Sequence, residues 1–112
     1  MKYTNLMKSE ISKGKYTEKE IEQTINNPDI SGVGMNPNDK GYVKQFGDKI
    51  IVITQMISGG GSVEVFNHLG DIEKLKDKTI MEIILMGNGA KENSFYNKDD
   101  NFRSFGYMEI NE

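Results

Sequence analysis

Apolar residues near the N-terminus recur with the spacing of a helix face, and a helix-capping motif precedes them. Thr17 and Glu20 stand three residues apart, as in a capping box in which each side chain accepts a hydrogen bond from the other residue's amide. Ile21 and Ile25 then recur four residues apart, which places them on one helix face. The pattern predicts a helix over Glu18–Asn26, where Asn-Pro ends it.

A shorter apolar repeat precedes this helix. Leu6, Met7 and Ile11 can share one side of a helix, and Gly14 supplies the left-handed residue that commonly ends one. The first quarter of the chain therefore predicts a pair of helices joined by a short turn.

The middle of the chain changes to the two-residue period of strands. Residues 42–46 and 49–54 are rich in β-branched and aromatic types and are separated by Gly47-Asp48, which predicts a hairpin with a type II′ turn. Residues 63–66 alternate again and predict a third antiparallel strand. Residues 29–40 are mostly Gly, Asn, Pro, Asp and Ser and predict a loop.

The last third predicts two further strands. Residues 70–78 form a short connector with one or two helical turns, and residues 79–86 are rich in Ile and precede Gly87-Asn88-Gly89, which favours a central strand followed by a turn. Residues 102–109 alternate and predict a final strand with an aromatic face.

Together these elements predict an α+β fold, with the N-terminal helical pair packed on an antiparallel sheet of about five strands. The length of 112 residues suits a single domain over residues 1–112. The expected core consists of Ile21, Ile25, Val43, Ile51, Ile53, Val65, Ile83 and Leu85.

Composition excludes several classes of protein. The absence of cysteine removes disulfide frameworks, thiol nucleophiles and cysteine zinc sites. Residues 51–112 hold six basic and ten acidic side chains, which disfavours a protein that follows a nucleic-acid backbone. The apolar runs are too short to span a membrane, and no secretion signal is recognisable, so we expect a soluble, cytoplasmic protein without membrane or nucleic-acid contact.

One histidine carries the candidate acid–base chemistry. His68 is the single side chain that titrates near neutral pH, Glu64 lies four residues before it, and Arg103 could steady a phosphate. These three residues form the catalytic set if the chain cleaves RNA. Otherwise we expect no catalytic residue.

The C-terminal region carries the candidate binding residues. Arginine and tyrosine are typical of interface hot spots, because planar and amphipathic groups desolvate cheaply, and nearby carboxylates could steer a basic partner. The predicted binding residues are Arg103, Phe105, Tyr107, Tyr96, Asp99 and Asp100.

Residues 16–54 resemble a known class of domain. The helix segment Thr-Glu-Lys-Glu-Ile-Glu-Gln-Thr-Ile-Asn-Asn-Pro-Asp, followed by Gly-Tyr-Val-Lys-Gln-Phe-Gly-Asp-Lys-Ile-Ile-Val-Ile-Thr, is similar to small bacterial ribonuclease-toxin domains of the RelE, colicin D and barnase-like type. The resemblance implies a helix leading into an antiparallel sheet and RNA cleavage by His, Arg, Lys or Tyr side chains.

Three functions follow as hypotheses. The leading one is a small non-enzymatic inhibitor from bacterial or phage conflict, such as an immunity protein, antitoxin or anti-defence protein, that blocks a protein partner. The second is an RNA-cleaving toxin, and the third is a binder of a small anionic, nucleotide-like ligand. We expect no cofactor and no metal, since the glycine-rich segments match neither a P-loop nor a dinucleotide fingerprint.

Overall fold

The computed structural model describes residues 2–57, 60–67, 69–92, 102–103 and 108–109. The helices are α1 (Asn5–Ser12), α2 (Glu18–Asn26) and α3 (Ile80–Glu92), with a 3₁₀ turn at Ile72–Leu75. The strands are β1 (Lys2–Tyr3), β2 (Ile30–Val33), β3 (Lys40–Phe46), β4 (Lys49–Gln55), β5 (Gly60–Asn67), β6 (Phe102–Arg103) and β7 (Met108–Glu109).

Four consecutive strands, β2 to β5, form an antiparallel meander that makes up most of the sheet. Two-residue strands extend it beyond β5, so that the order across the sheet is β1-β7-β5-β4-β3-β2, with β6 also paired to β5. The α+β class predicted from the sequence is confirmed. The sheet differs from the expected five strands, because in the part of the chain that the structure describes four strands are longer than two residues and three are two residues long.

The predicted hairpin between β3 and β4 is present, with Gly47-Asp48 as its two-residue connection. Phe46 lies opposite Lys49, and the pairing continues without interruption to Lys40 opposite Gln55. Gly47 has a φ of +62°, the left-handed conformation that the first central residue of a two-residue hairpin turn needs. Glycine adopts it without the Cβ penalty of other residues.

One face of the sheet is covered by α1 and α2. The capping box at Thr17 and Glu20 is present, with each side chain accepting from the other residue's amide at 2.9–3.0 Å. The residue before this cap, Tyr16, packs with Ile21 inside the same buried cluster, as a hydrophobic staple does. The cluster contains Met7, Tyr16, Ile21, Ile51, Ile53, Val63 and Val65.

The opposite face is equally apolar and is covered by the 3₁₀ turn and α3. Phe66 is fully buried there, on the other side of β5 from Val63 and Val65. The second cluster contains Val43, Ile50, Val52, Phe66, Ile72, Leu75, Ile80, Ile83 and Ile84. The central strand β4 is therefore buried on both faces, which explains its unbroken Ile-Ile-Val-Ile run.

The prediction of a central strand over residues 79–86 is wrong, because residues 80–86 form the first half of helix α3 and Thr79 directly precedes it. Ile80, Ile83, Ile84 and Gly87 are buried, which is the i, i+3, i+4, i+7 spacing of a helix face. Leu85, an expected core residue, lies on the outer side and is 60% exposed. The predicted turn at Gly87-Asn88-Gly89 is also helical.

Two glycines let α3 lie close to the sheet. A Cβ on Gly87 would come within 2.5 Å of the Phe66 ring, and a Cβ on Gly41 within 2.7 Å of Ile80 Cγ1. Both distances are shorter than real carbon contacts. The missing side chains thus set the separation between helix and sheet.

Two further expectations need correction. The predicted loop over residues 29–40 contains strand β2, which forms by pairing with β3. In place of one strand over residues 102–109, the described residues form two short ones, β6 and β7, that both pair with β5. Residues 104–107 lie outside the described part of the chain.

Candidate functional site

Strand β2 is held at both ends by local contacts. At its start, the Asp29 amide donates to the Val43 carbonyl at 2.8 Å, and the Asp29 carboxylate accepts from the Gln45 amide at 2.9 Å. At its end, the Gly34 amide donates to the Asp39 carbonyl at 2.7 Å. These contacts keep a short, glycine-containing strand in register with β3.

The outer edge of β2 presents backbone groups that β3 does not use. In an antiparallel pair, residues that exchange two hydrogen bonds alternate with residues that exchange none. The bond from Gly34 to Asp39 places Gly34, Gly32 and Ile30 in the bonded class, so the N–H and C=O groups of Ser31 and Val33 point away from β3. Across the described ranges, no strand pairs with this side of β2. We call it the open edge.

The two faces of the open edge differ. Ile30 packs with the cluster under α3, whereas Tyr42, which lies opposite Ser31, packs with the cluster under α1 and α2. Because side chains alternate along a strand, Ile30 and Gly32 belong to the α3 face, and Ser31 and Val33 to the other.

A groove runs along the open edge on the α3 face. Its volume is about 220 Å³, and a Cβ on Gly32 would meet no atom within 4 Å. We call it the edge groove. It is lined by Ile30, Ser31, Gly32, Val33, Lys78, Thr79 and Ile80. The missing side chain of Gly32 leaves room for a side chain from outside the chain.

Two lysines flank the open edge. Lys78 lines the edge groove, and Lys40 lies opposite Val33 on the neighbouring strand. Within the part of the chain that the structure describes, neither ammonium group forms an ion pair or a side-chain hydrogen bond. Two carboxylates of this region are engaged by other groups. Asp29 is paired with Lys44 at 3.7 Å. Glu82 accepts from the Thr79 amide at 3.0 Å, and this bond lowers its pKa together with the charge of Lys78. The ammonium groups of Lys40 and Lys78 are the positive charges beside the open edge.

Exposed apolar side chains gather where β2 ends. Val33 is 60% exposed and Met35 is 40% exposed. Ile57 is 81% exposed and lies two residues after Gln55, the last residue of β4. It is at the same end of the sheet as Val33, because Gln55 pairs with Lys40 and Lys40 pairs with Val33. Exposed apolar groups close to an unpaired strand edge are typical of a protein-binding surface.

A larger cavity than the edge groove lies elsewhere, and its polar groups stabilise the fold. It measures about 460 Å³ beside the β3–β4 turn. The Gln45 side chain there donates to the Gly70 carbonyl at 2.9 Å and accepts from the Ile72 amide at 3.1 Å. Asp71 caps the 3₁₀ turn by accepting from the Glu73 amide at 3.0 Å. These groups are engaged in holding the loop before the 3₁₀ turn.

Of the site residues predicted from the sequence, the structure describes Glu64 and the backbone of Arg103, and neither belongs to the open edge. Glu64 is 4% exposed and lies on the α3 face of β5, where its register partner on β6 is Arg103. For Arg103, only the backbone position on β6 is described. The residues that lie outside the described part are His68, Tyr96, Asp99, Asp100, Phe105 and Tyr107.

The open edge itself was missed by reasoning from the sequence. Its residues, Ile-Ser-Gly-Val, sit among loop-forming types and carry no strong strand signal. One signal could have predicted this strand. The pattern of β3 indicates a buried strand, whose outer backbone groups need hydrogen-bond partners, and Ile30 and Val33 are strand-forming residues shortly before it.

The comparisons identify no relative. A scan against known protein families and searches of curated proteins and of solved structures gave no match for this chain. Among the described residues, no group of three or more His, Cys, Asp or Glu side chains could hold a metal ion. In the same residues, no helix combines the length and apolar character needed to cross a membrane.

Proposed function

We propose that this protein is a small non-enzymatic inhibitor that blocks a target by protein–protein contact, and that the open edge of β2 is its contact surface. Such a protein would act in bacterial or phage conflict as an immunity protein, antitoxin or anti-defence protein.

The observation that carries this proposal is that, within the described ranges, no strand pairs with the outer side of β2, whereas the other long strands of the sheet are paired on both sides. Natural sheets protect their edges with lysine, proline, bulges or covering loops, because an unprotected edge pairs with other chains. Lys40 and Lys78 lie beside the edge, but strand β2 itself contains no charged residue and no proline, and Val33 is largely exposed. Retention of such an edge is explained if a partner covers it.

A matched pair of variants at Ser31 tests the proposal. Ser31→Pro removes the outward N–H that a partner strand would use, and it leaves the β3 ladder intact because this N–H is not part of it. Ser31→Ala removes only the hydroxyl. We expect the wild type and Ser31→Ala to retain a stoichiometric partner from a bacterial lysate and Ser31→Pro to lose it, while all three keep the same circular dichroism spectrum.

Two results contradict the proposal. One is that no stoichiometric partner binds to the wild type. The other is that Ser31→Pro retains the partner as well as Ser31→Ala does.

A second candidate function is RNA cleavage of the kind that the RelE, colicin D and barnase-like resemblance implies. What favours it is the register of the β5–β6 ladder, in which Glu64 and Arg103, two residues of the hypothetical catalytic set, are direct partners. Induced expression separates the two functions. A toxin arrests bacterial growth in the wild type and not in His68→Ala, whereas an inhibitor permits growth in both.

A further inference from the structure

We infer that the open edge binds an extended acidic segment, which adds to the sheet antiparallel to β2, places one aliphatic side chain in the edge groove and directs a carboxylate to Lys78. This inference rests on the proposed binding function and specifies the chemistry of the partner.

The backbone groups define the conformation of the segment. Ser31 and Val33 together offer two N–H donors and two C=O acceptors on one side of β2. An extended chain can satisfy all four at once when its own alternate residues face β2. A helix cannot do so, because its backbone groups are already bonded within the helix.

The edge groove defines one side chain of the segment. A strand added beside β2 directs every second side chain toward α3, where Gly32 leaves open space between Ile30 and Ile80. A volume of about 220 Å³ accommodates one aliphatic side chain of the size of Ile or Leu. Its apolar walls favour such a side chain over a polar one.

The lysines beside the open edge define which residues of the segment flank its aliphatic side chain. A carboxylate two residues away from the aliphatic side chain lies on the same face, and on the α3 face it comes next to Lys78. Lys40 adds positive charge beside Val33. Lys40 shares the face of Val33, so Lys78 is the lysine that meets this carboxylate directly, and Lys40 acts only at longer range. Both positive charges favour an acidic segment, as charge complementarity across an interface requires.

The same charges argue against a second copy of this chain as the occupant. Strand β2 contains no acidic residue, so a β2–β2 pair would bring two copies of Lys78 toward each other, and neither copy of β2 would supply a carboxylate to pair with them. The nearby carboxylate Asp39 is buried and accepts from the Asn36 side chain at 3.0 Å.

A synthetic peptide serves as the probe. In acetyl-Thr-Glu-Thr-Ile-Thr-Glu-Thr-amide carrying a fluorescein label, Ile and both Glu share one face, so the peptide presents the required pattern in either chain direction. We expect fluorescence polarisation to report binding to the wild type. The matched control peptide, with Lys in place of both Glu, is expected to bind at least roughly tenfold more weakly, since repulsion replaces attraction.

Backbone methylation tests the pairing. In an antiparallel complex, residues opposite each other share a face, so the Thr residues lie opposite Ser31 and Val33 and direct their N–H groups to β2. N-methylation of the inner Thr amides is therefore expected to abolish binding, and N-methylation of the Ile and Glu amides to preserve it. The reverse result overturns the antiparallel arrangement.

Two variants test the groove and the charge. Gly32→Leu fills the edge groove and is expected to abolish peptide binding while the protein stays folded, because the added side chain enters open space. Lys78→Glu is expected to weaken binding of the acidic peptide and to strengthen binding of the Lys peptide. Retained binding by Gly32→Leu, or equal binding of both peptides by the wild type, overturns the inference.

The remaining outcomes separate this inference from the proposed function. If the wild type does not bind the peptide but captures a partner in a manner that depends on Ser31, the binding function stands and the acidic specificity is wrong. If sedimentation finds a dimer that Ser31→Pro dissociates, the occupant is a second copy and the inference is wrong. If neither peptide nor partner depends on the open edge, both proposals fail.

Discussion

Thr79 and Glu82 hold each other at the start of α3. The Thr79 hydroxyl oxygen accepts from the Glu82 amide at 3.1 Å, and the Glu82 carboxylate accepts from the Thr79 amide at 3.0 Å. The same reciprocal pair, Thr17 and Glu20, begins α2. Both helices therefore start at a Thr-x-x-Glu capping box, one on each face of the sheet.

The first prediction concerns this cap. Thr79→Ala removes the hydroxyl that satisfies the Glu82 amide, and we expect the free energy of unfolding to fall by about 1 kcal/mol. For a domain of this size, that corresponds to a decrease of about 4 °C in Tm, which differential scanning calorimetry resolves. Thr79→Ser keeps a hydroxyl and serves as the control. An unchanged Tm in Thr79→Ala would contradict a capping role.

The second prediction concerns pH. The Thr79 amide, followed by the Thr79 hydroxyl and the charge of Lys78, lowers the pKa of Glu82 below its ordinary value. A carboxylate whose pKa is lower in the folded state stabilises the fold above its unfolded pKa, and this stabilisation is lost as the pH falls through the folded pKa. Carboxyl NMR titration should therefore give a lowered pKa for Glu82 in the wild type.

Thr79→Ala should raise that pKa part of the way back, because the backbone amide still donates. Glu82→Gln should have a flatter stability curve in the same acidic range, since the amide side chain does not titrate. A Glu82 pKa that does not respond to Thr79→Ala would contradict the assigned cause.

The third prediction concerns the contact between α3 and β5. In an exposed helix interior, Gly→Ala stabilises by up to about 1 kcal/mol. In Gly87→Ala, the methyl group would meet the Phe66 ring at 2.5 Å, so we expect a loss of about 1–3 kcal/mol in urea unfolding. The double variant Gly87→Ala/Phe66→Leu should recover part of this loss. A stabilised Gly87→Ala would mean that the helix does not lie this close to Phe66.

The fourth prediction concerns Tyr3. Burial of its hydroxyl, followed by the charges of Glu18 and Glu22, raises the pKa of Tyr3 from 10.0 to about 12. A raised folded pKa means that the unfolded chain loses its proton first, so the stabilisation by Tyr3 is complete below pH 10 and is lost between about pH 10 and 12.

Ultraviolet absorbance can measure this pKa. The difference between the titrations of the wild type and Tyr3→Phe isolates Tyr3 from the other four tyrosines. Glu18→Gln should lower the Tyr3 midpoint, whereas Glu73→Gln, on a distant exposed turn, should leave it unchanged. A Tyr3 midpoint at 10.0 in the wild type would contradict the burial.

The wrong strand prediction at residues 79–86 has a physical cause. The β-branched run Ile80, Ile83 and Ile84 suits a strand by propensity, and a fully apolar strand cannot be distinguished from a buried helix by content alone. The local cap at Thr79 and the spacing of the buried residues outweigh that propensity. Reading the Thr-x-x-Glu signal here, as at Thr17, would have predicted the helix.

The candidate site was less accessible to prediction than the fold. Ser31 and Val33 matter through the direction of their backbone groups, which depends on the register with β3 and not on residue type. The edge groove combines Gly32 with Lys78 and Ile80, which are more than forty positions away in the chain. No pattern within a few residues of Gly32 can predict a contact with residues so far away in the chain.

The sequence alone determined the elements whose signals lie within a few residues. The cap at Thr17 begins α2, and Gly47 forms the turn between β3 and β4. Both can be predicted locally, because capping and tight turns depend on backbone groups only a few residues away. Only the tertiary structure decided that β2 is a strand, that both faces of β4 are covered, and that one sheet edge stays open in the described residues. A strand takes its hydrogen bonds and its packing from distant residues, so its existence depends on the assembled sheet.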